Sequence, residues 1–499
     1  MQQLHSPAEA AQWLRSRVHG TLCADSRHLQ PGDGFIAWPG TAVDARTFAA
    51  GALQHGATAC LMERDGVEHF GLVGDGFASY AGLKVDTGTI AAEFFGQPSR
   101  EIAVVAVTGT NGKTSTAWWL AQALNSLPGA AALPCGVIGT LGVGVPPEVI
   151  STGLTTPDPV LQQQTLRQFA DRGLKACAIE ASSIGVTEHR LAGLEIRVAI
   201  FTNLTQDHLD YHGDMASYWE AKRRIFSWAG LRSAVVNIDD AHGVALATEL
   251  AGTAVAVWTT SMRVDARLQA RNIHYDGQGL HFDVVEGDTT CTVYSRMIGS
   301  YNVANLLGVL GAMRSLGVPL PMAVTACSQL HPVPGRMECV GAAGEPLVAV
   351  DYAHTPDALG QALEALQPLA RQRKGQLWCV FGCGGDRDAA KRPLMGAIAA
   401  KTADKVVVTS DNPRSEKPES IIAQILLGLP ASNTVAVQAD RALAIAQTIA
   451  QAAAEDVILL AGKGHEAIQE IAGTKLAFSD RAHAESALTQ RRAIQGVAA

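Results

Sequence analysis

Several short apolar runs in this chain stop at a glycine, asparagine, aspartate or histidine: "IAVVAVTGT", "KACAIEASS", "RVAIFTN", "SAVVNIDD", "PLVAVDYAH", "QLWCVFGCGG", "KVVVTSDN" and "DVILLAGKG". Strands apolar on both faces need cover on both. Many of these runs are followed by helical patterns; in "NVANLLGVLGAM", Val303, Leu306, Leu307 and Leu310 fall on one helical face. The alternation predicts an α/β fold of parallel sheets covered on each side by helices. Such sheets bind ligands at the carboxyl ends of their strands. The polar residues of this chain cluster at those ends.

The 499 residues suffice for three domains of roughly 150 residues each. Hydrophobic residues at 47% and charged residues at 17% predict a sizeable core and no wholesale disorder. The expected division is a smaller α/β domain over 1–88, a central P-loop, parallel-sheet domain over 89–333, and a C-terminal Rossmann-like α/β domain over 334–499. The proline-marked stretch "LHPVPGRME" signals the second boundary. A net charge of −8 argues against a nucleic-acid partner, so an anionic substrate needs local arginines, lysines and backbone amides. The nine cysteines are scattered, without zinc spacing or a disulfide framework, as in a reducing cytosol. The start "MQQLHSPAEAAQWL" lacks the pattern of a signal peptide, and no apolar stretch approaches the roughly 20 residues that span a membrane. A soluble cytoplasmic protein is expected.

The most specific motif is "VAVTGTNGKTST". A β-rich run enters a glycine turn, and Lys113 and Thr114 then open a helix. Gly109 and Gly112 let the amides of Gly109, Thr110, Asn111, Gly112 and Ser115 approach phosphate oxygens at a helix N-terminus. Lys113 is placed to neutralise β/γ-phosphate charge and the Thr114 hydroxyl to ligate Mg²⁺. The loop is a variant, because Val107 stands where the usual spacing has its first glycine. It predicts an ATP site.

Glu180 closes the run before "ASS", and His208 follows another run in "TNLTQDHLDYHG". Either completes a Mg²⁺ shell or plays a structural part; the hard ion favours the carboxylate. "SYWEAKRRIF" reads as a helix whose Lys222, Arg223 and Arg224 make a solvated basic face. In "SDNPRSEK", a plain strand exit needs only turn formers, yet Arg414 adds a planar guanidinium suited to a carboxylate or phosphate. A surface salt bridge is the alternative there.

Taken together, "GTNGKTS", "TTP", "EASS", "TNLTQDHLDYHGDM", the lysine of "YWEAKRRIF", "GSYNVANLL", "VPGRME", "DYAHTPDAL", "GGDRDAAKRPLMG", "DNPR" and "GKGHE" occur in the order seen in Mur ligases. The chain resembles that family from "ADSR" near residue 24 to "GKGHE" near 466, most closely its diaminopimelate-adding members. These are ATP-dependent amide-forming enzymes of peptidoglycan synthesis. The resemblance implies domains for UDP-sugar, ATP and amino-acid binding. It implies that ATP phosphorylates the D-glutamate γ-carboxyl of UDP-MurNAc-L-Ala-D-Glu, and that an incoming amine displaces phosphate from the acyl phosphate.

By the same resemblance Lys113, Lys222 and His208 are catalytic, and Lys222 carries a CO₂-derived carbamate. That changes it from a surface cation into a ligand for a second Mg²⁺, beside a set of Thr114, Glu180 and His208. Asn302, Arg336 and Asp351 match nucleotide contacts; from the residues alone, Asn302 reads as a helix N-cap, and the two roles are compatible. Ser26, Thr155, Thr156, Ser182, Glu188 and Arg190 match the UDP-MurNAc-dipeptide site. The chain departs from the family pattern at Ala45, Ile184 and Glu188. Arg387, Asp411, Asn412, Pro413, Arg414, Gly462 and Glu466 match the meso-diaminopimelate site, where Glu466 could pair with an ammonium. The resemblance implies small-molecule substrates only, with no nucleic acid or membrane, and a monomer. Competing readings are a folylpolyglutamate synthase-like ligase and a non-catalytic regulator that binds nucleotide and muropeptide.

Overall fold

The computed structural model describes residues 1–40, 43–275, 279–430 and 435–497. Each of the apolar runs becomes a buried strand, four in the second of the three large sheets and four in the third. The first sheet is wholly parallel, in the order Gln2–Leu4, Phe77–Tyr80, Ala59–Glu63, Gly34–Ala37, Leu22–Cys23. Its helix Leu83–Phe94 packs both on Pro7–Arg15 and on Pro159–Asp171 of the next unit. The expected break at 88 falls inside this helix. Gly88 marks the docking point, since a Cβ there would lie 2.1 Å from the Ala192 carbonyl oxygen. Only a bare backbone approaches that closely.

The second sheet has eleven strands. At its centre, Ile196–Phe201, Ala103–Thr108 and Ala176–Glu180 lie side by side and parallel. Val105 and Val107 face one helical layer, built on Lys113–Asn125 and Tyr301–Ser315, while Val104 and Ala106 face the other. Both edges depart from the expected parallel sheet. Cys135–Gly139, Gly142–Val145 and Glu148–Ile150 pair antiparallel, as do Leu268–Tyr275, Leu280–Glu286 and Thr289–Ser295. Their connections are too short for the crossover that a parallel pair demands. Val303, Leu306, Leu307 and Leu310 are all buried as expected, but their helix Tyr301–Ser315 is enclosed on most sides, because Leu320–Ser328 covers it as well.

The third sheet runs Glu338–Val340, Leu347–Asp351, Val457–Ala461, Leu377–Phe381, Lys405–Val408, Val435–Val437. Only the first pair is antiparallel. Five neighbouring strands therefore run parallel, and their carboxyl ends border one crevice. No described helix is long and apolar enough to cross a membrane.

Beneath that crevice lies a buried ion pair. Arg441 and Asp480 have fully buried side chains, with two contacts of 2.7 Å between them. The same guanidinium donates to the carbonyls of Ser410 (3.2 Å) and Ala461 (2.9 Å), the roots of two crevice loops. Removing one partner of such a pair strands the other charge in the interior. Asp480→Ala is expected to destabilise the C-terminal unit by about 3–5 kcal/mol, seen by calorimetry as an earlier transition of that unit alone.

Candidate active site

The phosphate loop starts where Ala103–Thr108 ends. Val107, at the position of the usual first glycine, is an ordinary buried strand residue, and the turn begins two residues later. Gly109 has φ +145°, and a Cβ there would meet Thr202 Oγ1 at 1.9 Å. The loop is braced by the neighbouring segment "TNLT". Thr110 N donates to Asn203 O (2.9 Å), Asn111 N to Asn203 Oδ1 (2.9 Å), and Thr202 Oγ1 to Asn111 O (2.6 Å). Thr205 N donates to Thr110 Oγ1 at 2.9 Å, so Thr202, Asn203 and Thr205 together hold the loop, a part their sequence did not reveal.

Lys113 Nζ donates to the carbonyls of Gly109 (2.9 Å) and Thr110 (2.8 Å), and burial lowers its pKa. Thr114 Oγ1 donates to Glu180 Oε2 at 2.9 Å and accepts from Arg336 Nη2 at 3.0 Å. Glu180 is 1% exposed; its Oε1 accepts from Thr140 N (2.7 Å) and its Oε2 from Thr140 Oγ1 (3.1 Å). Thr140 is a site residue that the sequence did not flag.

His208 and Asp207 line the same cavity as Lys113, Thr114 and Glu180. Burial pushes the His208 imidazole down to about 4, so it is neutral at neutral pH. Its Nε2 lies 3.5 Å from Asp207 Oδ2. Among the described residues no group of three or more His, Cys, Asp or Glu side chains could hold a metal unaided.

The basic run of the helix Met215–Arg223 divides, contrary to the solvated face expected from sequence. Arg223 is at the surface with Glu220 and Glu249, whereas Lys222 is 1% exposed. Lys222 sits four residues after the buried Tyr218, on the same helical face. Its Nζ donates to Gly109 O at 2.7 Å and lies 4.3 Å from the Tyr218 ring centroid. Among the described residues no carboxylate comes within 4.0 Å of it. Burial holds its pKa well below the usual lysine value, and the Lys113 charge adds to that.

Asn302, Arg336 and Asp351 line the cavity of the phosphate loop. Asn302 is not an N-cap: the helix begins at Tyr301, and the Asn302 amide donates back to Ile298 O at 2.8 Å. Arg336 stacks 4.4 Å from the Tyr352 ring centroid. Burial raises the Asp351 carboxyl, with Arg336 pulling the other way.

Thr155 and Ser182 also line this cavity, whereas Ser26, Thr156, Glu188 and Arg190 do not. Thr156 Oγ1 donates to Glu180 O (2.7 Å), and Arg190 Nη1 donates to Thr156 O (2.9 Å). Glu188 is paired with Lys84 at 2.6 Å, from the first unit, and accepts from the Tyr211 hydroxyl. Ser26 lies in the single turn Ser26–His28, next to the strand Leu22–Cys23 that packs on Pro159–Asp171.

The third cluster gathers at the crevice of the C-terminal sheet. Gly385 N donates to Asn412 O (2.9 Å), and Arg414 Nη1 donates to Gly385 O (2.7 Å), so "GGDRD" and "DNPR" lie against each other. Arg414 has φ +50° and its Nε is 4.0 Å from Glu470 Oε2; it is a half-buried residue tied to backbone. Asp411, Asn412 and Pro413 are buried, and Arg387 is exposed on the facing loop. Gly462 has φ +114°, and a Cβ there would touch Asp411 Oδ2 at 2.5 Å. Glu466 Oε2 accepts from Asn412 Nδ2 (2.8 Å) and from Lys463 Nζ (2.8 Å). Arg392, behind these loops, binds Glu416 through both guanidinium nitrogens at 2.8 Å and donates to Gly384 O at 3.1 Å. Tyr352 joins the two sites, with His354 at 4.7 Å on one side and His465 at 5.2 Å on the other.

Comparison with known proteins adds the lineage. The family profile "Mur ligase middle domain" matches residues 107–313, and "Mur ligase, glutamate ligase domain" matches 335–464. A relative from Acidovorax sp. (strain JS42), named UDP-N-acetylmuramoyl-L-alanyl-D-glutamate–2,6-diaminopimelate ligase, is 60% identical over 486 residues, 97% of each chain. A solved structure of an enzyme with that name superposes with TM-score 0.65 at 36% identity, covering 95% of each chain. A Mycobacterium tuberculosis folylpolyglutamate synthase shares the fold at TM-score 0.61 and 20% identity, over 76% of this chain and 92% of its own. The chain belongs to the Mur ligase family.

Proposed function

We infer that this protein is an ATP-dependent amide ligase that adds meso-2,6-diaminopimelate to the D-glutamate γ-carboxyl of UDP-MurNAc-L-Ala-D-Glu, through an acyl phosphate, in peptidoglycan precursor synthesis. The relatives named above support this over nearly the full chain. The folylpolyglutamate synthase reading is weaker, because that structure covers 76% of this chain and the diaminopimelate ligase 95%. A non-catalytic regulator would not need Lys113, Lys222 and His208 together.

In the reaction, a γ-carboxylate oxygen attacks the terminal phosphorus of ATP and ADP leaves. The amine then attacks the acyl carbon, and phosphate departs. Both steps join like-charged or neutral partners, so the protein's work is to position them and offset charge. The amides of Gly109 and Gly112–Ser115 and the Lys113 ammonium receive the phosphates, while the Thr110 and Asn111 amides brace the loop on Asn203 and leave their side chains to the nucleotide. Arg336 adds positive charge beside Thr114, and Asn302 and Asp351 contact the nucleotide. Thr114 and Glu180 present hard oxygens next to the phosphate loop and fit Mg²⁺, which keeps several non-protein ligands. Bound there, Mg²⁺ supplies further neutralisation of phosphate charge; neutral His208 completes the set.

Lys222 is suited to carbamylation. A buried amine without an acid partner is favoured in its neutral form, which is the form that adds CO₂ and releases a proton. The product is an anionic oxygen donor beside Gly109. The UDP-substrate is assigned to Ser26, Thr155, Thr156, Ser182, Glu188 and Arg190. Lys84 neutralises Glu188, so this departure from the family pattern adds no repulsion to an anionic ligand. The substrates are small molecules found in the cytoplasm, where we place a monomer acting without nucleic acid or membrane.

The observation that carries the choice of amino acid is Arg414, tied to Gly385 at the crevice that also holds Arg387, Asp411, Asn412, Pro413, Gly462 and Glu466. Diaminopimelate differs from lysine by one distal carboxylate. A guanidinium left unpaired by lysine penalises that substrate.

Lys222→Ala should abolish ligation, measured as phosphate release dependent on both organic substrates, and bicarbonate should not restore it. Wild-type protein in ¹³C-bicarbonate should show a carbamate carbonyl resonance that the variant lacks. Near-normal activity in the variant removes the carbamate from the mechanism. Arg414→Ala should reduce kcat/KM for diaminopimelate by roughly 10²-fold and leave the weak lysine reaction nearly unchanged. Competition between the two amino acids on the UDP-muramoyl dipeptide measures this, and equal losses would show that Arg414 does not read the distal carboxylate.

A further inference from the structure

Glu466 was expected to stand ready for a substrate ammonium, but the protein already supplies one. Lys463 has a fully buried side chain. It lies between Gly462 and Gly464, whose φ values are +114° and +53°. Its Nζ is 2.8 Å from Glu466 Oε2 and 3.0 Å from Asn412 Oδ1. Asn412 Oδ1 also accepts from Glu470 N at 3.0 Å. With two donors on its oxygen, the Asn412 amide has to turn its NH₂ to Glu466 Oε2, at 2.8 Å. One buried cation therefore sets the orientation of two side chains in the amino-acid pocket. Among the described residues, Glu466 Oε1 accepts no hydrogen bond.

We propose that Lys463 is a positioning residue that sets specificity for the incoming amino acid, by fixing Glu466 and Asn412 so that Glu466 Oε1 meets the distal ammonium while Arg414 meets the distal carboxylate. This rests on the diaminopimelate reading above. The Lys463–Glu466 pair is neutral overall, so it does not draw in every amine by charge. Recognition depends on an ammonium and a carboxylate arriving together at a fixed spacing, which lysine does not offer. A lone Glu466 would favour any cationic end.

The test is steady-state kinetics of the wild type, Lys463→Met, Glu466→Gln and the double variant, with diaminopimelate varied and both other substrates saturating. Lys463→Met should raise the KM for diaminopimelate at least about 10-fold and narrow the preference over lysine, with kcat and the KM for ATP within about twofold. The double variant should be no worse than the weaker single, since the pair acts as one unit. A merely structural lysine would lower Tm and kcat and leave that KM alone, which overturns the proposal. If Lys463→Met does not fold, the comparison moves to Glu466→Gln and the double variant, which buries no unpaired charge. A further rise in KM on adding Lys463→Met to Glu466→Gln overturns it too. A wild type that ignores diaminopimelate sinks the functional reading instead, whatever the variants do.

Discussion

A charge taken out of water has to be matched or given up, and that constraint organises this molecule. Arg392, Arg441, Lys463 and Lys222 are each at most 1% exposed. Three of them meet a carboxylate at 2.7–2.8 Å: Glu416, Asp480 and Glu466. Among the described residues, Lys222 meets a carbonyl and a tyrosine ring in place of a carboxylate. The paired cations act as pins. Burial holds the Lys222 pKa well below the usual lysine value, which favours its neutral form.

The three pins all lie behind the crevice of the third sheet. Parallel neighbouring strands bring the loops after Phe381, Val408 and Ala461 to one edge, yet topology alone leaves those loops free to move. Arg441 ties the roots of two of them through Ser410 and Ala461. Arg392 ties the third through Gly384 and reaches Glu416 beyond Arg414. Loops held in this way present donors already in place, so less ordering free energy would be lost when a ligand binds. The phosphate loop reaches the same end by other means, through backbone hydrogen bonds to Asn203 and a glycine with no Cβ to clash with Thr202.

The strands, the phosphate loop and the arginine of "DNPR" were legible because each is written locally: apolar runs, glycine spacing, an out-of-place guanidinium. The antiparallel edges were not, because pairing direction depends on connection length and not on the strands themselves. Lys222 looked like surface because its neighbours Arg223 and Arg224 are charged, while the helical partner that buries it, Tyr218, sits four positions back. Asn302 read as a cap, although the helix already begins at Tyr301, one residue before it. Arg441, Arg392 and Lys463 leave no local signature, since their partners are 39, 24 and 3 residues away. Even the nearest of these pairs looks like a solvated turn until Gly462 and Gly464 fold it inward.

The two sites belong to different sheets, and the contacts that join them bear on how the reaction is ordered. Asn111 Nδ2 donates to Asp357 Oδ2 at 3.0 Å, and Arg336 Nη2 to Thr114 Oγ1 at 3.0 Å. Both cross from the phosphate loop to the C-terminal unit, and both end on side chains that a nucleotide would engage. The seam continues through Tyr352, stacked by Arg336 on the nucleotide side and facing His465 on the amino-acid side. A ligand in the phosphate loop would therefore meet the same groups that join the two units. A ligand shifts a conformational balance only by what it gains in one arrangement over another. Thr114, Asn111 and Arg336 sit at this seam together with Asp357 and with Asp207, 4.0 Å from His354, and the apolar side chains Ile298 and Tyr301 pack across it as well.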